Sequence, residues 1–389
     1  MTSYEHFELM IDEDGIAWLT IDVQGRSANV LSHAVMAELF AVVDGLAAAP
    51  PKGFVFRSGK PRGFIFGADI NEFAGLETRQ AVESHIGEVL DRFRKIEDLA
   101  CPTVILIDGI CVGGGLELAL AFDRIIAVDD NVCQVGFPEI NLGLLPGYGG
   151  SARACERMGA EAALQLVLHG RPLKARAALA AGAIDHLVAE RGELPDAARA
   201  AVAGTIARAT PAPADDLTAM IETERAALLS RTSPRNLPAP FAILDHFSID
   251  YINKNNLMKN ETKLFSKLMM TPASAGLRRT FQLNDAVKKG ARGESAITRI
   301  HVIGAGTMGG DIAAVAAMSG FAVTLQDLDP ASIDRALARA RTLYERRLKD
   351  PQRVEDTLSR LVADALSLIH ISEPTRQAEI SYAVFCVKK

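Results

Sequence analysis

The sequence is poor in the features that staple a chain or anchor it to a membrane. It holds five cysteines in 389 residues. Cys101, Cys111, Cys133, Cys155 and Cys386 are scattered, with no CxxC pair and no metal-ligand spacing, which argues against a disulfide framework or a zinc module and points to a reducing compartment. No stretch of eighteen apolar residues occurs, and the opening MTSYEHFELMIDEDG is acidic, without the positive start and apolar core of a signal peptide. A soluble cytoplasmic protein without an integral membrane segment is therefore expected. Neither sign of charge dominates: 42 Lys+Arg stand against 48 Asp+Glu, a net charge of -6. That balance argues against a nucleic-acid surface and a polybasic membrane anchor, so an anionic ligand must be held by local groups. Internal repeats and low-complexity tracts are also lacking.

What is present is length and apolar content. A hydrophobic fraction of 49% over this length supports at least one large core, and two domains are the starting expectation. From Glu8 to Asp69 the pattern reads strand (IAWLTID), turn at Gly25, helix (AVMAELFAVVDGL) and buried strand (GFVFRS). A helix from about Gln80 to Leu99 precedes Pro102, and TVILID is continuously apolar, as in a sheet covered on both faces. After RIIAVD and VGFPEINLGLLPGYGG, the stretch from Ser151 to Val188 is Ala-rich and helical, broken at Gly170, Pro172 and Gly182. Residues 189–295 are helical in composition, with a connector expected at RTSPRNLPAPF.

Two constellations carry chemistry. In the first, Gly113, Gly114 and Gly115 stand directly before an apolar helix, where amides without side chains can point outward, reinforced by the positive helix end. A second outward amide is expected in the turn FGADI, at Ala68. Two amides converging on one carbonyl oxygen form an oxyanion hole, in which one donor is typically worth roughly 2.7–4 kcal/mol. Glu117 lies in the first turn of the helix among apolar neighbours, an unusual place for a carboxylate that is neither paired nor working. Glu139 follows Pro138 in a loop between apolar runs. Taken alone, the glycines fit a packing device, Glu117 a helix-dipole charge and Glu139 a solvated loop residue.

Four ordered motifs go further: FIFGADI (64–70), GICVGGGLELALAFDRIIA (109–127), FPEINLGLLPGYGGSARACERMG (137–159) and LVLHGRPLKARAALAAGAIDHLV (166–188). Together they resemble the crotonase, or enoyl-CoA hydratase/isomerase, superfamily. The resemblance implies that the amides of Ala68 and Gly114 grip the thioester carbonyl, that Glu117 activates water, that Glu139 protonates the α-carbon, and that Gly147 lines the acyl pocket. Both glutamates are present, which favours hydration of a 2-enoyl-CoA, with no metal or redox cofactor, over the superfamily's hydrolases and decarboxylases. A Δ3,Δ2-enoyl-CoA isomerase using one glutamate is the nearest rival, and a non-catalytic acyl-CoA- or NAD-binding fragment the alternative of another class. Lys60 and Arg62, just upstream of the oxyanion turn, are the candidates to meet the CoA phosphates, with simply solvated loop cations as the alternative reading.

In the second constellation GAGTMGG supplies Gly304, Gly306 and Gly309 in GxGxxG order, after an apolar strand and before a helix, and Asp327 closes the next strand, where a carboxylate binds the ribose hydroxyls of NAD. The order hydratase, helical linker, dinucleotide motif is similar to the multifunctional alpha subunits of fatty-acid β-oxidation, in which a hydratase and a 3-hydroxyacyl-CoA dehydrogenase share a chain. That resemblance implies acyl-CoA as substrate and a thiolase beta subunit or further copies of the chain as partners. The similarity stops near Ala365: the tail ALSLIHISEPTRQAEISYAVFCVKK is foreign to the pattern, the chain is expected to be truncated, and dehydrogenase activity is expected to be absent or crippled. The expected fold is α/β: a crotonase-like ββα spiral domain (1–188), a helical extension and linker (189–295), a partial Rossmann-type dinucleotide-binding unit (296–364) and an atypical tail (365–389).

Overall fold

The computed structural model describes residues 4–61, 63–210, 216–249, 253–290, 297–364 and 384–386. The chain packs as two compact units, Met1–Ala286 and Val287–Lys389.

In the first unit the chain lays down strands in pairs. The longer member of each pair joins a six-stranded sheet in the order Phe7–Ile11, Ile16–Ile21, Gly53–Ser58, Thr103–Ile107, Arg124–Val128, His186–Val188. Its first pair is antiparallel and the rest are parallel. The shorter member joins a second sheet, Leu173–Lys174, Gln134–Gly136, Ile110–Val112, Ile65–Ala68, Asn29–Leu31, parallel apart from the two-residue strand at its edge. Helices cross between turns, because parallel neighbours cannot be joined by a hairpin. The result is the expected ββα spiral. Thr103–Ile107 is buried along its whole length, as its apolar run implies. Helices His33–Ala48 and Arg79–Glu97 start at Ser32 and Thr78, whose side chains accept from the amides of Val35 and Ala81.

Among the described residues, five α-helices follow the last strand of the first unit's sheets: Leu194–Val202, Leu217–Leu229, Pro238–Phe247, Lys254–Met269 and Pro272–Gly290. The connector expected at 231–241 is shorter than its composition suggests. Pro238 opens a helix instead of breaking one, since a proline in the first turn has no amide to leave unpaired. Helix Lys254–Met269 packs on Arg79–Glu97 and on Gly150–Met158, and Leu257, Met258, Phe265 and Leu268 join the same core as the spiral.

In the second unit three parallel strands, Leu361–Asp364, Ala322–Gln326 and Arg299–Ile303, are flanked by an antiparallel strand, Val384–Cys386. Helices Thr307–Met318, Pro330–Leu348 and Pro351–Leu358 accompany them, over a core that includes Val302, Ala313, Leu325 and Tyr344. Strand, glycine turn, helix and strand therefore occur where the sequence pattern puts them. Of the tail, only the backbone of Val384–Cys386 is described. Among the described residues no helix is long and apolar enough to cross a membrane.

Candidate active site

The glycine run Gly113–Gly115 turns strand Ile110–Val112 into helix Gly114–Ala119. Gly113 adopts φ 57° and ψ -133°, a region closed to other residues, and a Cβ there would lie 2.9 Å from Glu139 Oε1. A Cβ on Gly114 would stand 3.3 Å from the amide nitrogen of Ala68. The glycines thus let two backbone segments and one carboxylate close on the same space. The helix has only six residues, so the amides themselves, rather than a helix dipole, are what this end has to offer.

That space is a cavity of about 70 Å³ lined by Ala68, Gly114, Glu117, Glu139, Gly147 and Tyr148, among others. It shares Ala68, Phe73 and Tyr148 with a groove of about 950 Å³ that runs along helices His33–Ala48 and Arg79–Glu97. Gly147 is backed by Phe265, whose ring would be 2.9 Å from a Cβ at that position.

Glu117 is 2% exposed. Its Oε1 accepts from the amides of Tyr148 (2.6 Å) and Gly150 (2.9 Å). Burial, with the neighbouring carboxylates of Glu139 and Glu261, raises its pKa well above the ordinary carboxylate range, and the two amides oppose that rise. Glu139 sits not in an open loop but in the first turn of the short helix Pro138–Leu142. Its Oε2 is buried without a hydrogen-bond partner, and desolvation pushes its pKa up to about 8. Two acids with raised pKa values in a cavity that Ala68 and Gly114 also line suit proton transfer next to a carbonyl whose oxygen takes up negative charge.

A third carboxylate was not read from the sequence. Glu261, on helix Lys254–Met269, is fully buried. It accepts from the amides of Gly149 (2.6 Å) and Ser151 (3.0 Å) and from the Ser151 hydroxyl. Its signal was available: Leu257, Met258, Glu261, Phe265 and Leu268 fall on one helical face, and an acid in such a stripe asks for partners.

Comparison with known proteins bears on this geometry. A family model described as enoyl-CoA hydratase/isomerase matches residues 12–237. The chain belongs to the enoyl-CoA hydratase/isomerase family. This family member is 35% identical over 368 residues to the fatty acid oxidation complex subunit alpha of Aliivibrio fischeri, covering 90% of this chain and 53% of that protein. It is 34% identical over 367 residues to the protein of that name from Idiomarina loihiensis, covering 90% and 52%. The chain thus spans about half the length of the curated relatives it matches. Among solved structures, an enoyl-CoA hydratase from Rhodobacter sphaeroides 2.4.1 aligns with a TM-score of 0.58 at 21% identity, covering 72% of this chain and 90% of that chain. A carnitinyl-CoA dehydratase from Mycobacterium thermoresistibile aligns at 0.57 and 18%, with the same coverage. These two likenesses are of fold.

One expected ligand of this hydratase/isomerase family member is otherwise engaged. Lys60 pairs its ammonium with Asp22 Oδ1 (2.5 Å) and the carbonyl of Val23 (2.8 Å), and it lines neither the cavity nor the groove. Arg62 lies outside the described residues.

The second unit of the chain matches, over residues 299–384, a family model described as 3-hydroxyacyl-CoA dehydrogenase, NAD binding domain. Its glycine turn has the room such a ligand needs: nothing lies within 4 Å of a Cβ built on Gly306, and a Cβ on Gly309 would meet the carbonyl of Gly304 at 1.8 Å. Gly306 leaves the backbone open to approach, and Gly309 lets helix and strand close up. Asp327 Oδ2 accepts from the amide of Ala305 at 2.6 Å, which puts its carboxylate against the glycine turn.

Proposed function

We propose that the first unit hydrates trans-2-enoyl-CoA thioesters to 3-hydroxyacyl-CoA. The observation that carries this reading is that Glu117, Glu139, Ala68 and Gly114 line one small cavity. The thioester oxygen lies between the amides of Ala68 and Gly114, and the acyl chain and its CoA carrier reach it through the adjoining groove.

The two glutamates divide the work by their partners. Glu117 receives two amide hydrogens on Oε1, which favours its ionised form, while Glu139 has one oxygen buried with no donor, which favours the protonated form. Since each carboxylate disfavours the charge on the other, the pair holds one shared proton over a window around neutral pH. Glu117 takes a proton from water as the water oxygen bonds to C3. The π electrons move onto the thioester oxygen, where the two amides hold the enolate. Glu139 then gives its proton to C2, and the proton on Glu117 returns to Glu139 through solvent.

For the second unit we propose NAD as the ligand, held by the turn Gly304, Gly306 and Gly309 with Asp327 at the ribose; when bound, its nicotinamide supplies hydride transfer. A role in fatty-acid oxidation is proposed from the relatives' names.

Crotonyl-CoA tests the first proposal. The full chain is expected to remove the conjugated thioester absorbance and yield 3-hydroxybutyryl-CoA. A folded protein that binds acyl-CoA and leaves the absorbance intact overturns the hydratase reading in favour of an isomerase or a binding protein.

A further inference from the structure

The turn Gly147–Ser151 is threaded between two carboxylates from distant parts of the chain. Glu117 takes the amides of Tyr148 and Gly150, and Glu261 takes the alternate ones, Gly149 and Ser151. Arg153 holds the same turn from a third direction, donating from Nη1 to the carbonyl of Tyr148 at 2.6 Å. The orientation of Glu117 therefore depends on a turn whose other face belongs to Glu261.

Behind Glu261 runs a buried relay. Asn260 Nδ2 donates to His246 Nδ1 at 2.8 Å, which leaves the ring proton on Nε2. Nε2 then donates to Ser151 Oγ at 2.8 Å, and the Ser151 hydroxyl hydrogen goes to Glu261. His246, Ser151 and Glu261 are all fully buried. A neutral or apolar side chain would fill this position without the cost of desolvating a carboxylate. The charge thus does something that filling the space would not.

We propose that Glu261 is a positioning residue for the hydration reaction, holding the amides of Gly149 and Ser151 so that those of Tyr148 and Gly150 fix the carboxylate of Glu117. The proposal rests on the hydratase reading above. It makes helix Lys254–Met269 a working part of the site.

Glu261 also acts at a distance. The groups that face it are the carboxylates of Glu117 and Glu139, the guanidinium of Arg153, the thiol of Cys155, the Ser151 hydroxyl and the neutral ring of His246. When ionised it raises the pKa of both glutamates across the cavity, so its removal moves the alkaline limb of the activity profile, where Glu139 loses its proton, to lower pH.

The experiment compares pH profiles of crotonyl-CoA hydration for the wild-type chain, Glu117→Gln, Glu261→Gln, Glu261→Asp and Ser151→Ala, with circular dichroism to verify folding. Glu117→Gln is expected to be inactive. In Glu261→Gln, kcat falls about 10-fold to 100-fold, as for a small misplacement of a reacting group. Its KM changes less than about 3-fold, and the alkaline limb moves down by about one pH unit. Glu261→Asp keeps the charge but not the reach, so it restores the limb without restoring kcat. Ser151→Ala moves both quantities the same way by smaller amounts, and decides the matter if Glu261→Gln does not fold. A folded Glu261→Gln with wild-type kcat and limb, beside an inactive Glu117→Gln, overturns this proposal and leaves the hydratase reading standing. An inactive wild type overturns both.

Discussion

The amide nitrogen of Ala68 lies 3.3 Å from the point where a β-carbon on Gly114 would stand. Two segments 46 positions apart in sequence are thus brought together at a spot that only a glycine leaves open. A methyl group at Gly114 would sit beside that amide and 3.5 Å from the Tyr148 ring, in the space assigned to the thioester oxygen.

Gly114→Ala is therefore expected to lower kcat/KM by about 10²- to 10³-fold, the loss associated with one oxyanion donor, while shifting the thermal midpoint little. Gly115→Ala is the contrasting case: its methyl would meet the carbonyl of Ile65 at 2.6 Å and the Ile65 side chain at 2.8 Å. Backbone cannot give way there, and stability falls along with activity. Thermal melts alongside steady-state hydration separate the two, and a fully active Gly114→Ala would remove the oxyanion assignment.

The same residues set a pH dependence of stability. Glu139 and Glu261 are raised to about 8 and about 7 from an ordinary value of 4.5. Between the ordinary and raised values the folded state holds more protons than the unfolded one, so stability declines as pH rises through that window. His246 is lowered to about 4 from 6.5 by burial; the folded state then holds fewer protons, and stability declines as pH falls from 6.5 towards 4. The thermal midpoint is expected to drop from pH 6 to pH 9 in the wild type and to drop less steeply in Glu261→Gln. Equal slopes would mean that Glu261 is not buried as described.

Much of the site was legible because its chemistry is local. Gly113–Gly115 with Glu117, and FGADI with Ala68, are contiguous motifs, so these cavity-lining segments can be read from short stretches of sequence. The second sheet was not legible, since strands of two to four residues such as Asn29–Leu31 and Ile65–Ala68 are too short to show a period. The pairing of Lys60 with Asp22 was not legible, because the two residues follow neighbouring parallel strands that are far apart in sequence. Glu261 stayed hidden because it meets the turn at Ser151 from 110 positions away. Only its place on an apolar helical face gave a hint.

In the second unit two glycines make separable predictions for NAD binding. Gly306→Ala adds a methyl with nothing within 4 Å, so the fold is kept while NAD affinity falls about 10-fold or more if the pyrophosphate must approach that backbone. Gly309→Ala puts a methyl 1.8 Å from the Gly304 carbonyl, which forces the turn open and lowers both stability and affinity. Calorimetric titration with NAD and thermal melts read the two quantities. Unchanged affinity in Gly306→Ala would move the dinucleotide elsewhere.

The most direct measurement is the rate of crotonyl-CoA hydration from pH 5 to 10 for the wild type, Glu117→Gln and Glu139→Gln, each verified as folded. A bell-shaped wild-type profile whose alkaline limb falls near pH 8, with at least about a 10²-fold loss of kcat in both variants, is the predicted result. A flat wild-type profile, or wild-type rates in either folded variant, would contradict the paired-glutamate account.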